Sequence, residues 1–211
     1  MDYVDYIKNY PLKSFTRGET LLQKGEAIRF LMALRTGFVK ITSISDEGVE
    51  RLLWIAGRYD LVPIEKLFAK QGNVHFFYTA LTDGTYYQID KQAFIKEAFE
   101  APALMAQIAR GMSDHHDDLL LHIDALDTSS VREKLLLTLL YVAARLSGDD
   151  NVDLIAHGLR LTHADFANLI GSTRETTSME LLKLRKEGYV TYSRTNFVVH
   201  TGKIRQHEQS E

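Results

Sequence analysis

The chain has 211 residues, with 25 Lys and Arg against 28 Asp and Glu, a formal charge of −3, and 45% apolar and 25% charged residues. That composition excludes bulk disorder and fibrous repeats, and at ~150 residues per domain the length suits one large domain or two small ones, each able to bury a core. The absence of cysteine excludes a disulfide framework, a thiolate zinc site, a Cys-ligated iron–sulfur cluster and a Cys nucleophile.

The N-terminus, MDYVDYIKNYPLK, is acidic before it is basic and carries no apolar h-region, so it does not read as a signal peptide. No apolar run approaches the ~20 residues that cross a bilayer. The expected site of work is the cytoplasm, with no membrane partner. Residues 12–90 read as short strands punctuated by Gly18, Gly25, Gly37, Gly48 and Gly57. The runs are Thr20–Leu22, Phe30–Leu34, Phe38–Ile44 and Arg51–Ile55; from Val39 onward apolar and polar residues alternate with the period of a half-buried strand. Asp46-Glu47-Gly48 predicts a hairpin turn. Val74–Leu81, the turn Thr82-Asp83-Gly84 and Thr85–Ile89 continue the pattern, which predicts a β-sandwich or barrel.

The period becomes helical from about Ala101 to Leu126. Met105, Met112, Leu119 and Leu126 fall at sevens, with Ile108 between the first two. This stripe suits either a two-helix seam or burial against the chain's own β-domain. Asp127-Thr128-Ser129-Ser130 offers a new cap, Val131–Leu146 a second helix, and Ser147 to Asn151 a loop. Thr162 with Asp165 resembles a capping box that opens a helix to about Ile170. Gly171 supplies a tight turn, Ser172-Thr173-Arg174-Glu175 a second cap, and a helix runs to about Glu187. Gly188 ends it, and Tyr189–Tyr192 with Asn196–His200 form a hairpin around Ser193-Arg194-Thr195. Helix, turn, helix and hairpin make the winged helix-turn-helix plan. Residues 203–211 read as a polar, frayed tail. Residues 1–129 carry 14 basic and 18 acidic side chains, net −4, and residues 130–211 carry 11 and 10, net +1. Phosphate contact favours a basic face, so this split only faintly separates the C-terminal part.

In this order the elements resemble the catabolite-activator/fumarate-nitrate-reductase (Crp/Fnr) family of bacterial transcription regulators. Residues 161–177, LTHADFANLIGSTRETT, resemble the family's T-x-x-x-[IL]-A-x-x-x-G-x-[ST]-R-E-T signature, with Phe166 where an aliphatic residue is usual. Phe15-Thr16-Arg17-Gly18-Glu19, Gly25-Glu26, Gly37-Phe38-Val39-Lys40-Ile41 and Ala80-Leu81-Thr82-Asp83 resemble the landmarks of its cyclic-nucleotide-binding β-roll. The resemblance implies an α+β chain: a β-roll over 1–100, a long dimerisation helix over 101–127 and a winged helix-turn-helix over 130–205. It further implies a homodimer whose seam is Met105, Ile108, Met112, Leu119 and Leu126, a double-stranded DNA operator, RNA polymerase as a partner, and an effector pocket between β-roll and long helix.

The resemblance places the Thr173–Glu187 helix on DNA. At its start, Arg174 can bind guanine O6/N7 with two donors and Glu175 can accept from cytosine N4. Alternatively Glu175, three residues after Ser172, closes a capping box; the two roles can coexist. Ser178 is a base or phosphate contact, and Thr162, His163, Lys183 and Arg194 are phosphate contacts, unless they serve as caps or solvated charges. Met179 stands where the family often has a second base-reading Arg, and Glu180 where an apolar residue is usual.

Aligning Asp60 and Ala80-Leu81-Thr82 without a gap places Pro63-Ile64 on the nucleotide-binding members' Gly-Glu and Val74-His75 on their Arg-Ser. Pro63 has no N–H to donate, and a phosphate buried without Arg would cost several kcal/mol. Cyclic AMP is therefore not the expected effector. Ile64, Val74, His75, Phe77, Leu119 and Leu120 are the expected pocket, for an apolar or aromatic ligand anchored by His75, or filled by its own side chains. No cofactor is expected; His75 alone leaves a haem reading open. His115 and His122 are seven apart, not the compact i, i+4 pair of a helical zinc site, so with His116 they are not expected to hold metal. No nucleophile–base pair or Gly-rich phosphate loop suggests an enzyme. The competing reading is a small-molecule-binding module whose DNA-reading helix has weakened.

Overall fold

The computed structural model describes residues 3–69, 72–128, 130–147, 153–157, 159, 161–193 and 196–208. They fall into two compact units: residues 1–43 with 56–117, and 44–55 with 118–211. The predicted loop at 148–151, Ser129 and the wing residues Arg194 and Thr195 lie outside the described residues.

In the first unit, a short helix α1 (Tyr3–Ile7) precedes the strands β1 (Leu12–Phe15), β2 (Thr20–Leu22), β3 (Phe30–Thr36), β4 (Val39–Ile44), β5 (Glu50–Ala56), β6 (Leu61–Val62), β7 (Phe77–Ala80) and β8 (Gly84–Asp90). The β4–β5 hairpin reaches into the second unit. The strands form two four-stranded sheets in the orders β1-β8-β3-β6 and β2-β7-β4-β5. The alternation predicted from Val39 onward holds only over Val39–Ile41: Val39 and Ile41 are fully buried and Lys40 half-buried, whereas Thr42 is buried and Ile44 is exposed. The predicted hairpin forms as well, with Ser45 N donating to the Val49 carbonyl at 3.0 Å and Gly48 at φ 80°. Gly84 has a steric reason: a Cβ there would stand 2.3 Å from both the Phe15 ring and the Thr36 carbonyl oxygen, where any side chain would break the β1–β8–β3 pairing.

The helical period begins earlier than the sequence suggests. Helix α2 (Lys91–Glu100) is capped by Asp90, which accepts from Ala93 N. Its pattern hides because Phe94 and Ala98 are the only apolar residues it fully buries. Helix α3 (Pro102–Asp127) follows. The core gathers Leu31, Ala33, Leu61, Leu67, Tyr87, Ile89, Phe94, Leu104 and Ile108, with Met105 and Met112 packed against it. Met105, Ile108 and Met112 thus pack against the chain's own β-domain, the second of the two readings of the stripe; Ile108, 4% exposed, has little surface left for a partner, while Met105 and Met112 are only partly buried. Leu119 and Leu126 are half-buried. The exposed apolar residues of α3 are instead Leu120, Leu121 and Ile123, at 50%, 66% and 62%.

The second unit holds the end of α3, α4 (Val131–Ser147), β9 (Leu154–His157), α5 (His163–Ile170), α6 (Arg174–Lys186), β10 (Val190–Tyr192), β11 (Asn196–Val199) and α7 (Thr201–Glu208). The predicted hairpin is β10–β11, and β9 adds a third strand in the order β10-β11-β9. The frayed tail predicted for 203–211 is corrected over its described part, which is helix. Asp153 accepts from Thr201 N at 2.9 Å at the start of α7, and Ile204 is fully buried. One apolar residue in TGKIRQHE leaves no periodicity to read.

Candidate DNA-reading site

The site rests on two helix ends. Thr162 caps α5: its hydroxyl accepts from Asp165 N at 3.1 Å, while Thr162 N donates to Asp165 Oδ2 at 2.8 Å. The capping box read from the sequence is thus present, with Asp in the acidic role. Gly171 ends α5 at φ 63°, ψ 35°, the left-handed conformation that costs glycine least. A Cβ there would also meet the Arg51 guanidinium at 2.6 Å. Arg51 comes from the β4–β5 hairpin, which sequence reading assigned wholly to the β-roll.

Helix α6 is capped by Thr173, not Ser172. Thr173 Oγ1 accepts from Thr176 N at 3.2 Å. This corrects the capping-box alternative for Glu175: it is the second helical residue and outside that cap's hydrogen bonds. Arg174 and Glu175 are both exposed at the helix start. Thr177, Leu181 and Leu184 are the helix's buried face, the predicted i, i+4, i+7 stripe, while Met179 is 61% exposed on the outer side.

His163 sits between α5, α6 and β10. Its Nδ1 meets Ser178 Oγ at 3.0 Å, and its Nε2 meets Tyr192 Oη at 3.1 Å. Arg185 lies 5.1 Å over the Tyr192 ring. Burial, then the nearby Arg174 and Arg185 charges, pull the His163 imidazole below its usual range. Ser178 and His163 therefore hold one another, so each side chain already has a structural partner. Lys183 is exposed and pairs with Glu180 at 2.9 Å.

Glu180, at an ordinarily apolar position, is explained by a residue 48 positions away. Arg132 of α4 donates to Glu180 Oε1 at 3.2 Å and to Glu187 Oε2 at 2.5 Å. Its guanidinium also lies 5.6 Å over the Tyr189 ring. The Arg132 hydrogen bond holds the Glu187 carboxyl below the usual carboxylate range, against the upward pull of burial. Arg132, Tyr192 and Arg51 were missed because each acts through tertiary contact, with no local spacing signal.

Behind this face, His122 of α3 is buried and stacks on Tyr141 of α4 at 4.9 Å between ring centroids. It bonds the Leu169 backbone in α5, and burial holds its imidazole below the ordinary range. Among the described residues no group of His, Asp and Glu could hold a metal ion.

Of the expected pocket residues in the first unit, Ile64 opens a 3-10 turn (Ile64–Lys66) and is half-buried. Val74 is buried, and its backbone pairs with Gly25 and Glu26 at 2.8 Å each. His75 is exposed and Phe77 half-buried on β7. Tyr78 on β7 is fully buried and donates to Glu65 Oε1 at 2.8 Å. Leu119 and Leu120 belong to the second unit, half-buried and exposed respectively. Trp54 is buried in the second unit with Arg145 5.1 Å over its ring.

A capped helix, a glycine turn, a second helix with an exposed polar start and a three-stranded wing define a winged helix-turn-helix DNA-binding protein. Residues 12–100 match the cyclic nucleotide-binding domain and residues 133–201 the Crp-like helix-turn-helix domain. The chain belongs to the Crp/Fnr family of DNA-binding transcription regulators. It is 25% identical over 179 residues to the anaerobic regulatory protein of Bacillus subtilis (strain 168), covering 85% of this chain and 75% of that one. It is 24% identical over 189 residues to the global nitrogen regulator of Synechococcus elongatus, covering 89% and 85%. The structure of FixK2 from Bradyrhizobium japonicum shares the fold at a TM-score of 0.77 and 16% identity, covering 93% of this chain and 96% of that one. Regulators of this family bind DNA and act as dimers, and these relatives are not enzymes. No helix among the described residues is long and apolar enough to cross a membrane.

Proposed function

We propose that this regulator is a homodimer that reads a specific operator through the start of α6. Arg174 addresses guanine and Glu175 addresses cytosine. It acts on DNA in the cytoplasm, engages RNA polymerase there, and answers to a small-molecule effector other than cyclic AMP. The observation that carries the reading is the cap: Thr173 serves α6, which frees the exposed Glu175 carboxylate for a base edge. Thr162 and the paired His163 and Ser178 then position the two helices, and Lys183 lies along the backbone-facing side.

The test is selection of an operator from a random pool, followed by Arg174→Ala. The expected loss is about 1–3 kcal/mol on the operator and little on non-specific DNA. Lys183→Ala should weaken all sequences alike. Equal losses for Arg174→Ala on both kinds of DNA would make it a backbone contact. The exposed Met179, where the family often places an Arg, favours a second reading: a ligand-binding module with a weakened reading helix. Enrichment of no sequence from the pool would establish that second reading.

A further inference from the structure

One imidazole serves two hydroxyls in the second unit. His163, the first residue of α5, meets Ser178 Oγ of α6 through Nδ1 at 3.0 Å and Tyr192 Oη of β10 through Nε2 at 3.1 Å. A neutral imidazole carries one N–H and one lone pair. It therefore donates to one of these hydroxyls and accepts from the other. The hydroxyl that accepts keeps its proton for a further partner, while the one that donates has given its only proton to the ring. With His163 neutral, Ser178 or Tyr192 has an O–H to turn outward, never both. An imidazolium donates from both nitrogens, and both hydroxyls are then released as donors.

The surroundings suit an anionic partner. Arg174 and Arg185 of α6 are exposed, and the Arg185 guanidinium lies 5.1 Å over the Tyr192 ring. After burial, these two charges are what holds the imidazole below its usual range. The carboxylates beside it are engaged elsewhere. Asp165 of α5 accepts from the Thr162 backbone N at 2.8 Å and from the Thr162 hydroxyl at 2.7 Å, and Glu180 of α6 pairs with Arg132 and Lys183. Tyr192 is the titratable residue of β10. A phosphate diester accepts hydrogen bonds and cannot donate them. Set against Ser178 and Tyr192 it is best met by two O–H donors, which requires the imidazolium. Its charge also offsets the arginines that oppose protonation.

We propose that His163 takes up a proton when the chain binds DNA, so that Ser178 of α6 and Tyr192 of β10 donate to DNA acceptors together. The inference rests on the reading that α6 faces DNA, and adds to it a proton and the first strand of the wing. The free imidazole titrates below its ordinary value and the bound one above the free one. The added affinity is therefore full at low pH and is lost as the pH rises through the bound value.

The test is calorimetric titration of the full chain with a duplex carrying its selected operator, at pH 6 and pH 8, in buffers of different ionisation enthalpy. Affinity should be about three- to tenfold higher at pH 6, with net proton uptake on binding. His163→Gln keeps one donor and one acceptor but cannot be protonated, and should lose both the pH dependence and its share of the uptake. Ser178→Ala and Tyr192→Phe should each lose them too, because a single hydroxyl is released by the choice of tautomer alone. A role confined to holding α5, α6 and β10 together would not make either variant insensitive to pH. In NMR of the unaltered chain, the His163 imidazole should titrate at higher pH in the complex than in the free protein. Affinity independent of pH, proton uptake undiminished by His163→Gln, or a His163 titration unmoved by DNA would each overturn the proposal and leave the α6 reading standing. Failure to enrich an operator, or an operator affinity that Arg174→Ala leaves unchanged, would overturn the α6 reading and this proposal with it.

Discussion

Arg132→Ala should loosen α6 without touching the exposed residues at its start. Arg132 joins α4 to the body of α6 through Glu180 and to the α6 C-cap through Glu187. A hydrogen bond to a charged partner contributes about 1.5–3 kcal/mol. The Glu180 bond falls in that range, because the Glu180 side chain is only 14% exposed and would be left with Lys183 alone. The Glu187 side chain is 44% exposed, so solvent screening reduces that pair to about 0.5 kcal/mol. The expected loss is therefore about 2–3 kcal/mol. For a unit of about 100 residues this lowers the midpoint by roughly 10–20 °C. The assay is denaturant unfolding of the full chain, followed by circular dichroism. Adding Glu180→Leu to Arg132→Ala should recover about half the loss, because it removes the abandoned carboxylate from a mostly buried position. A loss below 0.5 kcal/mol for Arg132→Ala, or strict additivity in the double variant, would refute the reasoning.

His122 gives a pH dependence of definite sign. Its folded imidazole titrates below the unfolded value, so the unfolded chain binds the proton first. Stability should be complete above about pH 6.5 and fall as the pH drops below it; His122→Gln should flatten that slope in urea melts between pH 5 and 8. Leu120→Glu with Ile123→Glu should yield monomers in sedimentation velocity without lowering the melting temperature, because both positions are exposed in the single chain. A persistent dimer would place the seam on another part of α3. Cyclic AMP at millimolar concentration should give no heat of specific binding, and micromolar affinity would show that the Val74-His75 segment or another cation receives the phosphate.

Features set by neighbours in sequence were legible. The strand over Val39–Ile44, the turn at Gly48, the Thr162–Asp165 box and the apolar side of α4 each need only a few adjacent residues. Fold class followed from their order. What escaped reading depends on partners far along the chain. Helix α7 is polar but for Ile204 and is anchored by Asp153, 48 residues earlier. Strand β9 joins the wing from the far side of two helices. Glu180 looked misplaced until Arg132 was seen beside it. The methionines of α3 carried a heptad spacing that served equally for a partner helix or for the chain's own core, and sequence alone could not choose. Of the candidate DNA-reading site, the exposed position of Arg174 and Glu175 at the start of a helix was legible, while the engagement of His163 with Ser178 and Tyr192 was not, because three separate elements supply it.

The β4–β5 hairpin bears on how such a chain can be cut and recombined. The backbone passes between the two units three times, at residues 43–44, 55–56 and 117–118. A chimera spliced at the end of α3 would carry a foreign hairpin to the turn at Gly171 and a foreign His122 to Tyr141. Exchange of sensing and reading parts between relatives therefore has to be discontinuous, taking residues 44–55 and the last turns of α3 along with the winged helix. Gene fusion at one junction inherits a mismatch that three junctions avoid.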